Sequence, residues 1–306
     1  MANTPRLIGM EFKFVNKPTM MATGNKQTDI SKSGQTEKEE FQKHLDQPYI
    51  RESYKGSGKL KSKVALITGG DSGIGRAVTV HYAREGADVA IVYLESDDDA
   101  RDTQKLVEAE GRKCLLFKGD ISNESFCVDT VKKVHEQLGR LNILVNNAGT
   151  HEDAPDVQTI SQQQLLRTFS VNIFSFFYFT QAALEFMQEG DAIINTASVT
   201  AYRGSGHLLD YSSTKGAIVT FTRSLAENLA KKKIRVNGVA PGPIWTPLVV
   251  YSFDKEQLEK FGKDTPLGRA GYPYELGPAY VWLASEESSY ITGQMIHVNG
   301  GDAISG

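Results

Sequence analysis

The chain has 306 residues, of which 40% are hydrophobic and 23% charged, and its formal net charge is −3. This composition can form a substantial core, and the charge gives no electrostatic reason to bind nucleic acid. The longest apolar stretches, such as 174–179, are too short to span a membrane, and the N-terminus lacks the apolar core of a secretory signal, so a cytoplasmic location is expected. Cys114 and Cys127 have neither C-x-x-C spacing nor a histidine cluster beside them, which predicts buried thiols and no metal site.

Residues 1–59 differ in composition from the rest of the chain. Positions 24–59 are rich in Lys, Glu, Gln, Ser and Gly and hold few large apolar residues, which is typical of an extended or flexible arm. We expect this arm to contribute packing or assembly and no chemistry, and we expect one domain over 60–306. Met20 and Met21 precede a more typical start, which leaves residues 1–19 open as an upstream-start artefact.

The first predicted strand, Val64–Thr68, leads into a glycine-rich turn. The sequence T-G-G-D-S-G-I-G-R runs to Arg76, and a helix is predicted over Ile74–Glu85. Glycine in such a turn permits positive φ and lets the backbone approach a pyrophosphate, which the helix N-terminus attracts. The turn therefore predicts a nucleotide site, although its spacing is not G-x-G-x-x-G and it lacks the lysine of a phosphate-transfer P-loop.

The second predicted strand, Asp88–Tyr93, ends before a run of carboxylates. Glu95 comes first, and Asp97 to Asp99 lie at the start of the helix predicted over Asp99–Glu110. A carboxylate accepts from a free ribose 2′-hydroxyl, whereas a 2′-phosphate would meet these acids without an Arg or Lys partner, so NAD is favoured over NADP. The aspartates are equally explained as satisfying the helix dipole, and Arg76 leaves room for NADP.

The remaining pattern alternates apolar strands with helices. Such alternation predicts a parallel sheet covered on both faces, and right-handed crossovers make it doubly wound. The segments N-N-A-G and V-A-P-G-P-I-W-T both follow strand ends, where open parallel sheets bind ligands. The long stretch 241–273 is expected to be a lid. The further predicted strands are Lys113–Lys118, Ile143–Asn146, Ala192–Thr196, Arg235–Val239 and Met295–Val298, and the further helices are Glu124–Leu138, Ser161–Met187 and Ser212–Ala230.

Three side chains in the second half have the chemistry for proton transfer. Ser198 ends the apolar run 192–198, and Tyr211 and Lys215 stand one helical turn apart on one helix face. A cation beside a phenol favours phenolate, which predicts that the Tyr211 pKa falls from about 10 toward neutrality. A phenol tuned in this way can pass a proton at physiological pH. Y-x-x-x-K alone is a weak signal, because most such pairs are surface residues.

Taken together, these motifs resemble the short-chain dehydrogenase/reductase family. T-G-x-x-x-G-x-G is found over 68–75, N-N-A-G over 146–149, Y-x-x-x-K over 211–215 and P-G at 241–242, and the resemblance covers residues 60–302. It implies a single Rossmann-fold α/β domain with a doubly wound parallel sheet. Within the family, the N-terminal extension and the segments G-G-D-S-G-I-G-R and V-Y-L-E-S are most similar to the bacterial glucose/ribitol-dehydrogenase-like, or general-stress, group.

The resemblance implies hydride transfer between a nicotinamide cofactor and a secondary alcohol or carbonyl substrate. Ser198 would hydrogen-bond the reacting oxygen, Tyr211 would take or give its proton, and Lys215 would lower the Tyr211 pKa and bind the ribose hydroxyls. Asn172 resembles the family's fourth catalytic residue, which holds a proton-relay water. Taken alone, Asn172 is equally explained as a polar residue that bends a helix.

The same resemblance implies a set of cofactor-binding residues. Asp120, in K-G-D-I-S, would hold the adenine amino group, although an N-cap at Ser122 also explains that segment. The full predicted set is Gly69, Asp71, Ser72, Gly73, Ile74, Gly75, Tyr93, Glu95, Asp120, Ile121, Asn147, Ala148, Gly149, Tyr211, Lys215, Pro241, Gly242, Ile244 and Thr246.

No residue of the sequence decides the substrate. A sugar or polyol rests on analogy alone, and two other functions stay open. One is an NADP-dependent carbonyl or 3-oxoacyl-thioester reductase. The other is a non-catalytic dinucleotide-sensing protein, which is disfavoured because all four catalytic positions are filled. The residues near the predicted mouth suit a polyol or a small ketone equally, and they are His151, Glu152, His207, Leu208 and Trp245.

A homotetramer is expected from the long predicted helix. Its aromatic residues extend around more of the helix than one core-facing stripe needs, and a surplus apolar face usually packs against a partner, although the aromatics could instead fill the core. In the resembling family the segment 292–301 forms an edge strand at a second two-fold interface, and two distinct two-folds generate D2 symmetry. The aromatic residues are Phe174, Phe176, Phe177, Tyr178 and Phe179.

Overall fold

A parallel β-sheet of seven strands forms the centre of the protein in the computed structural model, which describes residues 40–302. The strand order is β3-β2-β1-β4-β5-β6-β7, and it reverses between β1 and β4, where doubly wound sheets open the crevice that binds ligands. The strands are β1 (Val64–Thr68), β2 (Asp88–Tyr93), β3 (Cys114–Lys118), β4 (Ile143–Asn146), β5 (Ala192–Thr196), β6 (Arg235–Pro241) and β7 (Met295–Val298).

Helices cover both faces of this sheet. One face packs against α2, α3 and α11, and the other against α4, α6 and α8. Within residues 40–302, no helix has the length and apolar character needed to cross a bilayer. The helices are α1 (40–45), α2 (Gly73–Arg84), α3 (Asp97–Ala109), α4 (Glu124–Leu138), α5 (Gln162–Phe169), α6 (Ser175–Ala183), α7 (Thr200–Arg203), α8 (Leu209–Leu229), α9 (Pro247–Ser252), α10 (Lys255–Lys260) and α11 (Gly277–Ala284).

The central strand β1 shows why the sheet has two cores. Ala65 and Ile67 belong to one hydrophobic cluster, and Val64 and Leu66 belong to the cluster on the opposite face. Successive side chains of a strand alternate between faces, so an unbroken apolar run marks a strand buried on both sides. The predicted doubly wound α/β fold is therefore confirmed, as are the two buried, unbonded cysteines.

The long helix predicted over Ser161–Met187 is interrupted. Its two parts, α5 and α6, flank a π-helical segment, Ser170–Phe174. A π-bulge inserts one extra residue per turn and often marks a functional site inside a helix. Here the inserted turn contains Asn172, which is fully buried.

The stretch 241–273, for which no helix was predicted, contains α9 and α10. Thr246 caps α9 and is followed by Pro247 at the first helical position. Asp254 and Gln257 form a capping box at α10. These capping signals stand in the sequence, so both helices were predictable. Hereafter residues 246–262 are called the lid segment.

Residues 40–59 lie against the domain. The Glu85 carboxylate accepts hydrogen bonds from the Tyr54 hydroxyl at 2.6 Å and from the backbone N–H groups of Ser57 and Lys59 at 2.9 and 3.0 Å. Phe41 of α1 is buried against Trp245 of the loop before α9. The predicted arm before residue 40, with its open question about residues 1–19, lies outside the described residues, and the domain boundary at 59/60 stays a prediction.

Candidate active site

The turn between β1 and α2 has the backbone that a dinucleotide requires. Gly69 and Gly73 have φ values of 64° and 50°, which favour glycine. A Cβ at Gly75 would overlap the Gly69 carbonyl, so this turn closes too tightly for another residue. Ser72, the N-cap of α2, makes no side-chain cap hydrogen bond within the described structure. The N–H groups of the first turn are therefore open to an anionic ligand, and the turn fits a pyrophosphate.

The end of β4 is tied to this turn by hydrogen bonds. The Thr68 hydroxyl accepts from the N–H groups of Asn147 at 2.9 Å and Ala148 at 3.0 Å, and the Asn147 amide donates to the Thr68 carbonyl at 3.1 Å. A Cβ on Gly149 would lie 3.5 Å from Asn172 Oδ1 and 3.6 Å from Lys215 Nζ. The N-N-A-G turn therefore connects the glycine-rich turn to the predicted catalytic residues.

The segment after β6 also reaches the glycine-rich turn. A Cβ on Gly73 would lie 3.2 Å from Thr246 Cγ2, so Thr246 borders this turn. The Gly242 N–H donates to the Val298 carbonyl at 3.0 Å, directly after Pro241 ends β6. Ile244 is buried. All four predicted positions of this segment therefore follow the carboxyl end of β6, at the edge of the sheet where ligands bind.

The π-helical segment positions Asn172 against the turn that follows β4. Asn172 Oδ1 accepts from the Thr150 N–H at 2.8 Å, and Asn172 Nδ2 donates to the Thr150 carbonyl at 2.9 Å and to the Thr214 hydroxyl at 3.1 Å. These bonds fix the amide orientation between β4 and α8. A fully buried amide is normally hydrogen-bonded, so these bonds fit both interpretations of Asn172 and its catalytic role stays a prediction.

Three residues that are predicted to be catalytic lie close together at the end of β5. Lys215 Nζ donates to the Thr196 carbonyl at 2.9 Å and lies 5.3 Å from the centroid of the Tyr211 ring. The Ser198 hydroxyl accepts from the Thr200 N–H at 3.2 Å and hydrogen-bonds the Tyr211 phenol. The structure therefore groups the buried Ser198 and Lys215 with the half-buried Tyr211 in one cluster.

The direction predicted for the Tyr211 pKa is wrong. Burial raises the Tyr211 pKa to about 12, and the Ser198 hydrogen bond only partly offsets that rise. Burial also lowers the Lys215 pKa to about 7, so its ammonium form is itself disfavoured. The spacing of Tyr211 and Lys215 can be seen in the sequence, but the extent of their desolvation cannot. Desolvation has a larger effect on the two pKa values than the attraction between phenolate and ammonium.

The predicted clash between a 2′-phosphate and unpaired acids is also wrong. Asp97 pairs with Lys118 at 2.9 Å, Asp98 with Arg101 at 3.4 Å, and Asp99 with Arg76 at 2.7 Å. The Tyr93 hydroxyl donates to Asp97 at 2.9 Å. Glu95 is exposed, and no ion pair or hydrogen bond reaches it from residues 40–302. The basic partners come from three different elements, so they were not evident from the sequence.

Asp120, predicted to hold the adenine amino group, and three other predicted cofactor-binding residues have contacts within the protein. Asp120 accepts from Arg167 at 2.6 Å and from the Ser122 N–H at 2.9 Å, and these contacts, with burial opposing them, hold its pKa below the usual value. The Asp71 carbonyl accepts from Arg76 Nε at 2.7 Å, and burial raises the pKa of the Asp71 carboxyl. Ile121 is buried, and Ile74 packs on the core. Their contacts with a cofactor stay predictions.

Comparison with known proteins identifies the family. A family model described as Enoyl-(Acyl carrier protein) reductase matches residues 69–302. General stress protein 39 of Bacillus subtilis is 56% identical over 256 residues, which cover 84% of this chain and 90% of that protein. Glucose and ribitol dehydrogenase of Daucus carota is 44% identical over 295 residues, with 94% and 100% coverage. The chain belongs to the short-chain dehydrogenase/reductase family.

The names of two further similar proteins include a nicotinamide cofactor. NADPH-dependent aldehyde reductase 1 of Arabidopsis thaliana is 48% identical over 258 residues, covering 82% of this chain and 90% of that protein. The crystal structure of a short-chain dehydrogenase from Burkholderia cenocepacia in complex with NADP has a TM-score of 0.75 and 29% identity, covering 79% of this chain and 98% of that chain. The predicted resemblance is thus confirmed, and this short-chain dehydrogenase/reductase is an oxidoreductase that uses a nicotinamide cofactor.

The residues predicted at the substrate mouth of this dehydrogenase separate into two groups. His151 lies beside Tyr211, with 5.4 Å between ring centroids. Trp245 is instead buried just before the lid segment, where it stacks on His44 at 4.2 Å. Leu208 is buried, whereas Glu152 and His207 are exposed, and no described side chain connects them to Tyr211.

Two residues of the N-terminal arm reach the site, which the sequence analysis missed. Tyr49 lies over the Arg76 guanidinium, 4.7 Å from its ring centroid, next to the glycine-rich turn. His44 Nδ1 lies 3.2 Å from the Tyr272 hydroxyl and stacks on Trp245. Aromatic residues in an otherwise polar arm were the available signal. No group of His, Cys, Asp and Glu suited to a metal ion occurs among residues 40–302.

Proposed function

We propose that this protein reduces an aldehyde or ketone with a nicotinamide cofactor and that Tyr211 donates the proton. One observation carries the proposal: the half-buried Tyr211 phenol lies beside the Ser198 hydroxyl and 5.3 Å from Lys215 Nζ, and desolvation there raises its pKa to about 12. A phenol with that pKa stays protonated at physiological pH. It is therefore in the form required of a general acid in carbonyl reduction.

The cofactor supplies the hydride, and the residues of this chain supply binding, orientation and the proton. Gly69, Gly73 and the N-terminus of α2 would hold the pyrophosphate, with Thr246 beside them. Ser198 would donate to the carbonyl oxygen and polarise it. Tyr211 would transfer its hydroxyl proton to the same oxygen as negative charge develops there.

Lys215 and Asn172 act through the residues around Tyr211. An ammonium on Lys215 stabilises the phenolate that remains after proton transfer, and a pKa of about 7 lets Lys215 take up a proton from solvent near neutrality. Asn172, held by Thr150 and Thr214, would position a relay water between Lys215 and solvent. These roles explain why two polar side chains are kept buried here.

For the cofactor, we infer NADP(H) in place of the predicted NAD. The aldehyde reductase relative is named NADPH-dependent, and the Burkholderia cenocepacia structure holds NADP. In addition, Lys118, Arg101 and Arg76 neutralise the three aspartates that were the physical reason for excluding a 2′-phosphate. Only the exposed Glu95 still opposes it.

Glu95→Arg tests this assignment. We expect tighter NADPH binding and weaker NADH binding, because a guanidinium replaces the remaining carboxylate beside the 2′ position, and the ratio of the two Kd values should shift by about tenfold. Titration of cofactor fluorescence measures both constants. Glu136→Arg on the exposed face of α4 is the matched charge control. Equal ratios in the two variants would show that Glu95 does not face the ribose.

The substrate class follows from the names of the relatives. One relative is a glucose and ribitol dehydrogenase and another an aldehyde reductase, so we propose a sugar, polyol or small aldehyde for this chain. A steady-state screen of NADPH oxidation against sugars, hydroxyaldehydes, simple ketones and an acyl thioester tests it. Turnover of the thioester alone would favour the acyl reductase, and cofactor binding without any turnover would favour the sensing protein.

We also propose a homotetramer. Phe176 and Phe179 fill the core, but Phe174 and Phe177 are exposed, as is Leu166 of α5. The exposed apolar side chains are thus fewer than predicted and are spread over α5, the π-helical segment and α6, and β7 is an edge strand as expected. Light scattering should give about four times the 33.7 kDa chain mass. Phe177→Glu should lower the measured mass, while a wild-type mass of 33.7 kDa contradicts the proposal.

The cytoplasmic location also stays a prediction.

A further inference from the structure

His151 occupies the space next to the proposed proton donor. Its ring centroid is 5.4 Å from that of Tyr211 and 5.5 Å from that of Phe253 in the lid segment. It directly follows Thr150, whose backbone is fixed by two hydrogen bonds to Asn172. The imidazole is therefore held between the reacting tyrosine and the lid segment by a rigid turn.

The polar atoms of this imidazole are not satisfied by the protein. Both ring nitrogens are buried, and neither has a hydrogen-bond partner among residues 40–302. Burial lowers the His151 pKa, and the nearby Lys215 charge lowers it further. The Leu248 backbone has the opposite effect on this pKa, although it is not placed to form a hydrogen bond with the ring. The ring is therefore neutral at physiological pH, with one N–H donor and one acceptor nitrogen.

Leaving both atoms unpaired costs free energy, and among residues 40–302 only His151 has two such buried atoms. The alternative is that the atoms are satisfied by a ligand, and the position beside Tyr211 indicates which one. Tyr211 and Ser198 already serve the reacting oxygen, so His151 faces the neighbouring part of the substrate. A neutral donor and acceptor matches hydroxyl groups, whereas a carboxylate or phosphate would require a cation.

We propose that His151 determines specificity by hydrogen-bonding a hydroxyl group on the carbon next to the reacting carbonyl, so that the preferred substrates are uncharged hydroxy-carbonyl compounds. The inference rests on the proposed reductase function and adds the substrate class and the residue that recognises it. The second ring nitrogen is available to a further hydroxyl, which suits a polyhydroxylated chain.

The test compares glyceraldehyde with propanal, which has the same carbon chain without the hydroxyls. The quantity measured is the ratio of kcat/KM for glyceraldehyde to kcat/KM for propanal, with NADPH saturating. Each aldehyde solution is the same for all variants, so hydration of the aldehydes cancels from changes in the ratio. We expect His151→Phe to lower this ratio by about tenfold or more, because a site built to bind a hydroxyl loses that partner.

Two variants separate recognition from packing. His151→Gln keeps a donor and an acceptor and should restore part of the ratio. Phe253→Leu alters the other side of the imidazole without removing a polar atom, so it should change both substrates together and leave the ratio within about threefold of wild type. The cofactor Kd measured in parallel shows whether each variant keeps an intact site.

The outcomes distinguish this inference from the proposed function. A ratio that changes less than about threefold in His151→Phe overturns the specificity role, as does a wild-type enzyme that reduces propanal but not glyceraldehyde. In both cases the reductase function stands. If no aldehyde or ketone supports NADPH oxidation by the wild-type protein, the proposed reductase function is wrong. This inference is then wrong as well, because it rests on that function.

Discussion

Tyr211→Phe is expected to lower kcat by about 100-fold to 10,000-fold and to leave the NADPH Kd within about twofold of wild type. The substitution removes only the hydroxyl that transfers the proton. Tyr211 lies in the same cluster as Ser198 and Lys215, and a phenylalanine ring fills the same space. Single-turnover NADPH oxidation measures the chemical step directly, and fluorescence titration gives the Kd.

Tyr202→Phe is the matched control for this experiment. Its hydroxyl is also buried, and no hydrogen-bond partner for it occurs among residues 40–302, but it lies on α7 outside the catalytic cluster. We expect its kcat to stay within about twofold of wild type. If Tyr211→Phe kept more than about a tenth of the wild-type kcat, its contribution would be smaller than that of a general acid, and the assignment would be wrong.

Lys215→Met is expected to abolish turnover and, at the same time, to stabilise the fold. Burial lowers the pKa of the Lys215 amine to about 7. At neutral pH the lysine of the unfolded chain is charged and hydrated, whereas the folded protein must remove this charge from water, which costs free energy of folding. Methionine removes that penalty and loses the hydrogen bond to the Thr196 carbonyl, for a net gain of about 2 kcal/mol at pH 7. Urea unfolding at a fixed protein concentration measures the difference.

The pH dependence of this gain identifies its cause. Between pH 7 and about 10.4, the pKa of a lysine in the unfolded chain, the unfolded state binds more protons than the folded state. The free energy of unfolding of the wild type therefore rises with pH in this range. The stabilisation by Lys215→Met should therefore shrink from pH 7 to pH 9. Lys232→Met, at an exposed lysine, should show no such change. A gain that does not depend on pH would show that packing, and not desolvation of the charge, is responsible.

The sequence was sufficient for the sheet because its strands are short apolar runs bounded by turns. The predicted bounds of β1, β2, β4, β5 and β7 equal the observed ones. Helix ends were less accurate, since local caps decide them: Ser96 accepts from the Asp99 N–H, so α3 begins at Asp97 and not at Asp99. The π-helical segment at Asn172 interrupts the single helix predicted over Ser161–Met187 and was not predicted from the sequence.

The convergence of the motifs could be predicted from the sequence, but the electrostatics of the candidate site could not. Motifs at strand ends converge because the carboxyl ends of parallel strands share one edge of the sheet. Ion pairs such as Asp99 with Arg76, and the burial that raises the Tyr211 pKa, depend on distances between separate elements. The contacts of His44 and Tyr49 with the site have the same origin, since an arm of polar composition does not indicate where its few aromatic residues will pack.

The most direct measurement is NADPH oxidation by the purified protein with a hydroxyaldehyde, followed in parallel with the alcohol product and repeated with Tyr211→Phe. We predict that wild type consumes one NADPH for each alcohol formed and that the variant binds NADPH normally but forms almost no alcohol. Equal rates of alcohol formation by the two proteins, or NADPH binding by wild type without reduction of any carbonyl compound, would contradict Tyr211-dependent carbonyl reduction.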